Sequence, residues 1–367
     1  MKSIALPLAL ALCACTTSTS GSNTTPVILD AEFHPINRGW GKVWEDQFNG
    51  PTLDSTKWVA AQYCGGYNGE QQCYTRSPHN LRMSGGELMI IAWASGCSGS
   101  PIAAVDNPTA NEVGSVSCGF LTPGGSGGSA RGNYASGRIH TRVLPRSGLN
   151  DWTYGRIEIR AVLPEGRGTW PAFWMLPATP PSGQTWPQSG EIDIMEAVNL
   201  HTGGPGIFIP EGDKIQSNIH FCSDNPAYPV DPHASQSAKA LCGSWSTASS
   251  TFNKVHKEMS RSLGVTSGTL LDLTGHFHTY ALEWTDVDMR FFVDDQLIGQ
   301  VAHGPDSQNR APFRQPFYLI INLAIGGAMP GMPEPRNWML GDRTVMRLDW
   351  VRVYACANDP TAKICAY

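Results

Sequence analysis

The chain has 367 residues, of which 16% are charged, and its net charge of −5 is spread without long runs of one sign. Such a balance argues against a nucleic-acid partner and suits an uncharged polymer. The 39 glycines and 27 prolines predict many turns and loops rather than long helices. A chain of this length can hold one or two domains, and all-β folds often reach it as a single domain.

The N-terminus resembles an export signal. Lys2 precedes an apolar run over residues 4–14 that is too short to span a bilayer. The sequence LCAC at residues 12–15 resembles a bacterial lipobox, so we predict a signal or lipoprotein peptide at 1–15 with a lipid on Cys15; ordinary cleavage near Ala14 is the alternative. Residues 16–39 are predicted as a flexible linker. These features predict a protein that is secreted or lies on the outer cell surface, with membrane contact only through a lipid on Cys15.

Short alternating segments follow along the chain. We expect strands at 87–92, 136–141 and 156–160, and a hairpin in which 288–293 and 296–299 are joined by Asp294 and Asp295. The continuous apolar run 317–323 predicts a strand that is buried on both faces. No stretch has a long helical period, so the sequence predicts an all-β protein with two packed antiparallel sheets.

Three carboxylates lie close together in the sequence GEIDIMEA at residues 190–197. On a regular strand Glu191 and Asp193 share one face and Glu196 points away, but a bulge near Met195 would turn Glu196 to the same face. Crowded, partly buried acids repel one another, so we expect displaced pKa values. A pair of such acids suits the division of labour in retaining glycoside hydrolysis. The alternative is an exposed edge strand whose charges prevent aggregation.

An aromatic cluster, WPAFWMLP at residues 170–177, precedes the acids. Indole rings offer flat apolar faces on which sugars stack. Such a cluster alone is more often part of a core, but its place just before three acids suggests a carbohydrate site.

These two segments resemble glycoside hydrolase family 16, and most of all its endo-1,3-β-glucanases (laminarinases). Further matches cover the chain from about Trp40 to Tyr354 and are YGRIEIR at 154–160, FHTYALEW at 277–284, NLAIGG at 322–327 and DWVRVY at 349–354. The resemblance implies a concanavalin-like β-jelly roll, with a substrate cleft on its concave face. It also implies a catalytic domain at 40–356 and a C-terminal tail at 357–367. Long insertions are expected at 94–133 and 201–256, where loops set specificity.

The resemblance assigns Glu191 as nucleophile, Glu196 as general acid/base and Asp193 as the residue that tunes Glu191. It implies a monomeric, retaining endo-hydrolase of 1,3-β-glucan that needs no cofactor for catalysis. The alternatives are a mixed-linkage 1,3-1,4-β-glucanase, a transglycosylase with the same residues and a non-catalytic glucan-binding protein. The last requires loss of a catalytic acid, and all three acids are present.

Binding positions carried over from the family are Trp170 and Trp174 for stacking, with Asn80, Arg138 and His220 for sugar hydroxyls. Each tryptophan could equally belong to the core, and His220 could be an ordinary strand residue. The family also implies a structural calcium ion, held here by Glu45, the Gly86 carbonyl and Asp349, and calcium prefers such oxygen ligands.

Eight cysteines remain beyond the export segment, an even number that predicts disulfides in an exported protein. About 105 pairings are possible, but the cysteines cluster in sequence, so we predict four local pairs. These are Cys64–Cys73, Cys97–Cys118, Cys222–Cys242 and Cys356–Cys365. No Cys-x-x-Cys spacing indicates structural zinc.

Overall fold

The computed structural model describes residues 38–66, 68–94, 134–142, 150–180, 186–201, 214–223, 253–262, 273–303, 312–331 and 345–366. The predicted signal peptide with Cys15 and all but the end of the predicted linker lie outside these residues. So do the Cys97–Cys118 pair and Cys242. No helix in the described part of the chain is long and apolar enough to cross a membrane.

Two large antiparallel sheets make up most of the described structure. The back sheet has the order β18-β17-β16-β11-β20-β6-β5, with β1 also paired to β20. Its strands are β1 (Trp40–Asp46), β5 (Leu81–Ser84), β6 (Glu87–Ile91), β11 (Gly155–Val162), β16 (His278–Trp284), β17 (Asp288–Val293), β18 (Gln296–Ala302) and β20 (Val345–Cys356).

The front sheet has the order β15-β14-β13-β12-β19-β9-β2, with β10 also paired to β19. Its strands are β2 (Val59–Ala60), β9 (Arg138–His140), β10 (Asp151–Trp152), β12 (Thr169–Pro177), β13 (Glu191–Ala197), β14 (Lys214–Ser223), β15 (Asn253–Ser262) and β19 (Phe317–Ile325). A third, four-stranded sheet has the order β3-β4-β8-β7 and consists of β3 (Tyr63–Cys64), β4 (Gln72–Tyr74), β7 (Trp93–Ala94) and β8 (Tyr134–Ser136).

One continuous apolar core lies between the two large sheets. The front sheet contributes alternate residues of its central strands, among them Phe173, Met175, Ile192 and Ile219. The back sheet contributes others such as Ile157, Ile159, Leu282, Val351 and Val353. The all-β prediction of two packed antiparallel sheets is therefore confirmed. The strand predicted at 317–323 is β19, which crosses the middle of the front sheet.

The predicted insertion at 201–256 contains regular structure. Residues 214–223 form β14, which pairs with the acid-bearing strand β13, and β15 begins at Asn253. The sequence prediction of one long loop was therefore wrong for these residues. The turn-forming residues on either side of β14 suggested a loop, although this strand carries part of the site.

Two of the predicted disulfides are confirmed, Cys64–Cys73 and Cys356–Cys365. Cys222 is also disulfide-bonded. The Cys356–Cys365 bond holds the predicted C-terminal tail against the start of the domain. There Ala362 and Cys365 form a small buried cluster with Trp40 and Tyr354.

Candidate active site

The strand β13 carries a bulge where the sequence predicted one. Asp193 pairs with Asn218 and Glu196 with Gln216, so the two residues between them lack regular partners on β14. Both of these residues, Ile194 and Met195, point into the core. Glu196 is thereby turned away from the core, onto the face that Glu191 and Asp193 occupy. We call this face of the front sheet the site face.

Gly190 fixes the start of this strand. Its φ of +90° is strained for any residue with a side chain, and an added Cβ would lie 3.0 Å from Phe317 and 3.1 Å from Pro312. A glycine before Glu191 therefore lets the chain turn tightly into β13.

Three side chains donate hydrogen bonds to Glu196. Nε1 of Trp170 lies 2.9 Å from Oε1. Nε2 of Gln216 and Nδ2 of Asn218 lie 3.1 Å and 3.0 Å from Oε2. The carboxyl group of Glu196 is therefore held in one orientation from two neighbouring strands.

Glu191 and Asp193 have different partners. The indole N–H of Trp186 donates to Glu191 Oε2. Nε2 of His220 lies 2.9 Å from Asp193 Oδ2, and the His220 ring packs 5.8 Å from that of Trp186. Ligand-type atoms of Glu191, Asp193 and His220 all lie within 4.8 Å of one another, which makes this trio a group that a divalent cation could also occupy.

The pKa values of two of these acids are displaced, as the crowding predicted. Burial, and then the negative charge of Asp193, raise the pKa of Glu191 to about 8. Burial, and then the charge of Glu196, raise the pKa of Asp193 well above its usual range.

Coupled acids share the protons they retain, and we place such a proton on Asp193 for two reasons. Asp193 is only 2% exposed, whereas Glu191 is partly open at the sheet surface. Glu191 also accepts the Trp186 N–H, which stabilises a carboxylate. Asp193 and Glu191 are within hydrogen-bond reach of each other. A proton on Asp193 therefore removes their mutual repulsion and leaves Glu191 as the anion.

The two predicted stacking tryptophans both lie on the site face but differ in exposure. Trp170 is 8% exposed and packs against Val198, Ala324 and Met329. Its position favours a role in orienting Glu196 rather than a role in stacking on a sugar. Trp174 is half-buried, donates to Asn322 Oδ1 at 2.7 Å, and has the guanidinium of Arg138 4.8 Å from its ring centre.

The structure does not support the substrate-binding prediction for Asn80. This residue is fully buried, its Oδ1 accepts from Thr75 and its Nδ2 donates to the Ile91 carbonyl at 2.8 Å. These bonds join the end of one turn to the back sheet, which gives Asn80 a structural role.

The predicted calcium ligands do not fit a cation. Glu45 accepts from Arg352 Nε at 2.8 Å and Lys42 Nζ at 2.7 Å, and Asp349 is paired with Arg160. Burial alone would raise the pKa of Glu45, but hydrogen bonds from Lys42, Gln47 and Arg352 lower it to about 2. Positive side chains thus already neutralise both carboxylates, and a divalent ion would meet two guanidinium groups.

Sequence reasoning missed Trp186, Gln216, Asn218 and Asn322. A signal for two of them was present. Gln216, Asn218 and His220 alternate with Ser217 and Ile219, the two-residue period of a strand with one polar face. Trp186 carried no such signal, because it reaches Glu191 from a turn.

Comparison with known proteins fits this geometry. Family models described as "XgeA-like, catalytic GH16 domain" and "Glycosyl hydrolases family 16" match residues 147–206 and 243–352. A β-glucanase of Rhodothermus marinus is 33% identical over 86% of this chain and 85% of its own length. The chain belongs to glycoside hydrolase family 16.

Solved structures of this family share the fold. The laminarinase from Rhodothermus marinus matches with a TM-score of 0.56 and 30% identity, over 86% of this chain and 97% of that one. The jelly-roll architecture expected from the sequence is thus confirmed.

Other relatives differ in what their names say they cleave. A glucan endo-1,3-β-glucosidase A1 of Niallia circulans is 29% identical over 91% of this chain, which spans only 40% of that protein. A keratan-sulfate endo-1,4-β-galactosidase of Sphingobacterium multivorum is 26% identical over 85% of this chain and 54% of its own length.

Proposed function

We propose that this family 16 glycoside hydrolase is a retaining endo-hydrolase of 1,3-β-glucan, with Glu191 as nucleophile and Glu196 as acid/base. One observation carries the proposal: the bulge in β13 brings Glu191, Asp193 and Glu196 to one face of one strand. The names of the glucanase and laminarinase relatives support glucan as the substrate.

The mechanism uses two displacements at the anomeric carbon. Glu191 attacks it as a carboxylate, while Glu196 gives its proton to the departing glycosidic oxygen. The bond to the leaving sugar breaks as the bond to Glu191 forms. Glu196 then takes a proton from water, whose oxygen displaces Glu191 and frees the sugar. Each displacement inverts the carbon, so the configuration is retained.

The neighbouring side chains suit these roles. Glu196 must face the glycosidic oxygen, and the donors on Trp170, Gln216 and Asn218 hold its orientation. Glu191 must be anionic, and the Trp186 N–H together with a proton on Asp193 favours that state. Nε2 of His220 contacts Oδ2 of Asp193 at 2.9 Å and helps to hold this side chain in place.

A substrate panel tests the proposal. Release of reducing ends is measured on laminarin, mixed-linkage 1,3-1,4-glucan, agarose and carrageenan, with Glu191→Gln as the control for contaminating enzymes. We expect the highest rate on laminarin and loss of nearly all activity in the variant. Faster cleavage of agarose or carrageenan than of laminarin would reject the glucan assignment. Equal rates in the parent protein and the Glu191→Gln variant would reject Glu191 as the nucleophile.

A further inference from the structure

In the described part of the chain, two arginines on the site face form no ion pair with a carboxylate. Arg138 lies on β9 and Arg142 two residues beyond its end, and within the described residues no carboxylate forms an ion pair with either. The back sheet differs, because its buried and half-buried arginines pair with acids. Arg156 contacts Glu158 and Glu283, Arg347 contacts Glu87 and Arg352 contacts Glu45.

Aromatic rings hold both guanidinium groups in place. That of Arg138 lies 4.8 Å from the Trp174 ring centre and 5.7 Å from that of Tyr63. That of Arg142 lies 5.6 Å from the Tyr318 ring. Such stacking orients a guanidinium but does not neutralise its charge.

His140 lies between the two arginines and completes a strip that we call the cationic strip, Arg138, His140 and Arg142. Its ring packs 5.8 Å from that of Tyr318. Burial, and then the charges of Arg138 and Arg142, lower the pKa of His140 to about 4, so His140 is neutral near pH 7 and the two arginines carry the charge of the strip.

The cationic strip is separated from the reacting acids. β9 lies three strands from β13 in the front sheet, across β19 and β12, a distance of about 14 Å at the usual spacing between strands. The site face between them carries Trp174 and Asn322. A glycan that crosses the strands from the acids would therefore reach the strip more than one sugar away from the cleaved bond.

We propose that the cationic strip is a subsite for an oxyanion substituent, a sulfate ester or a carboxylate, on the β-glycan that the acids cleave. This inference rests on the proposed function. A neutral hydroxyl would leave two partly desolvated guanidinium charges without a counter-charge. An oxyanion matches the planar donor edge of arginine and makes charge-assisted hydrogen bonds to it.

The test compares affinities for matched ligands. Calorimetry on the full chain carrying Glu191→Gln measures Kd for a laminari-oligosaccharide, its sulfated form and a form oxidised to carboxylates. We expect the sulfated ligand to bind about tenfold more tightly than the neutral one, as a charged hydrogen bond implies. The oxidised form then shows whether sulfate or carboxylate is preferred.

Two further substitutions locate the effect. Adding Arg142→Gln should reduce the tenfold ratio severalfold, since it removes one of the strip's two charges. Arg82→Gln is the control, because it removes the same charge from an exposed position on β5 of the back sheet. A ratio near one before either substitution, or a ratio unchanged by Arg142→Gln, would overturn the inference.

A parallel measurement separates this inference from the proposed function. Keratan sulfate and its chemically desulfated form are the matched ligands on another backbone. The ratio of their Kd values measures the same preference for a sulfated glycan. If glucan ligands do not bind but the keratan ratio depends on Arg142, the glucan assignment fails and the oxyanion subsite stands. A ratio near one on both backbones overturns the subsite.

Discussion

At the scale of single residues, the site balances opposing effects on one carboxyl group. Burial raises the pKa of Glu191, while His220 and the Trp186 N–H lower it. A nucleophile must be ionised when substrate binds, so the groups that lower this pKa set the low-pH limit of activity. Trp186, at 40% exposed, is the accessible member of that set.

Replacing Trp186 by phenylalanine should move the acidic limb of the pH–kcat/KM profile to higher pH. The substitution keeps an aromatic ring but removes the N–H that stabilises ionised Glu191, so the pKa of Glu191 rises further. We expect at least a severalfold loss of kcat/KM at pH 5 and a smaller loss at pH 8. The profile on laminarin is the measurement.

Trp174→Phe is the matched control, because this indole donates to Asn322 and not to an acid. It should change KM with little movement of the acidic limb. If the acidic limb of the pH–kcat/KM profile lies at the same pH in the Trp186 variant and in the parent protein, the indole N–H does not lower the pKa of Glu191.

At the scale of elements, the sequence allowed β13 to be predicted more fully than its surroundings. The spacing of Glu191, Asp193 and Glu196 between apolar residues demanded a bulge, because only a bulge lets all three acids avoid the core. The strand β19 was equally readable, from the continuous apolar run at 317–323.

Other parts of the site depend on contacts that the sequence does not encode locally. Asn80 matched a binding position, yet its amide is used by Thr75 and Ile91, partners set by how a turn packs. The predicted calcium ligands Glu45 and Asp349 are engaged in the same way, since Arg352 and Arg160 reach the two acids across strands. Pairings between distant segments decide such roles.

The back sheet is braced by a buried cluster around Arg156 on β11. Its guanidinium contacts Glu158 at 2.7 Å, Glu283 on β16 at 3.0 Å and Asp295 in the β17–β18 turn at 2.5 Å. Arg156 and Glu283 are fully buried. Arg156→Met should lower the free energy of unfolding by about 3–5 kcal/mol, because it leaves buried carboxylates without a counter-charge.

Urea denaturation measures this change. Arg347→Met is the control, since its pair with Glu87 leaves the arginine side chain 42% exposed and exposed pairs contribute about 0–1 kcal/mol. Equal losses in the two variants would show that the cluster does not brace the sheet.

At the scale of the whole molecule, the described ends of the domain are joined. Cys356 ends β20, and its disulfide to Cys365 presses the last residues onto Trp40 at the start of β1. The strand pair β1–β20 lies at the same place, with Trp40 opposite Cys356.

Removing this disulfide by Cys356→Ala with Cys365→Ala should cost on the order of 2–3 kcal/mol, from the entropy of a short loop. Activity of the folded protein should persist, because the bond lies on the back sheet, away from the site face. Denaturation and laminarin assays on the same samples give both values. Cys64→Ala with Cys73→Ala removes a bond of equal sequence separation between β3 and β4 of the third sheet and serves as the comparison. Loss of activity at temperatures where the Cys356/Cys365 variant is fully folded would contradict this separation of roles.

The stereochemistry of the first products tests the central claim, that Glu191 and Glu196 act together in a retaining endo-hydrolase of 1,3-β-glucan. Proton NMR follows laminarin hydrolysis from its first minutes, before the anomers interconvert. We expect β-anomers first, on oligosaccharides of mixed length. Initial release of the α-anomer would contradict Glu191 as nucleophile, and glucose as the sole early product would contradict endo-action.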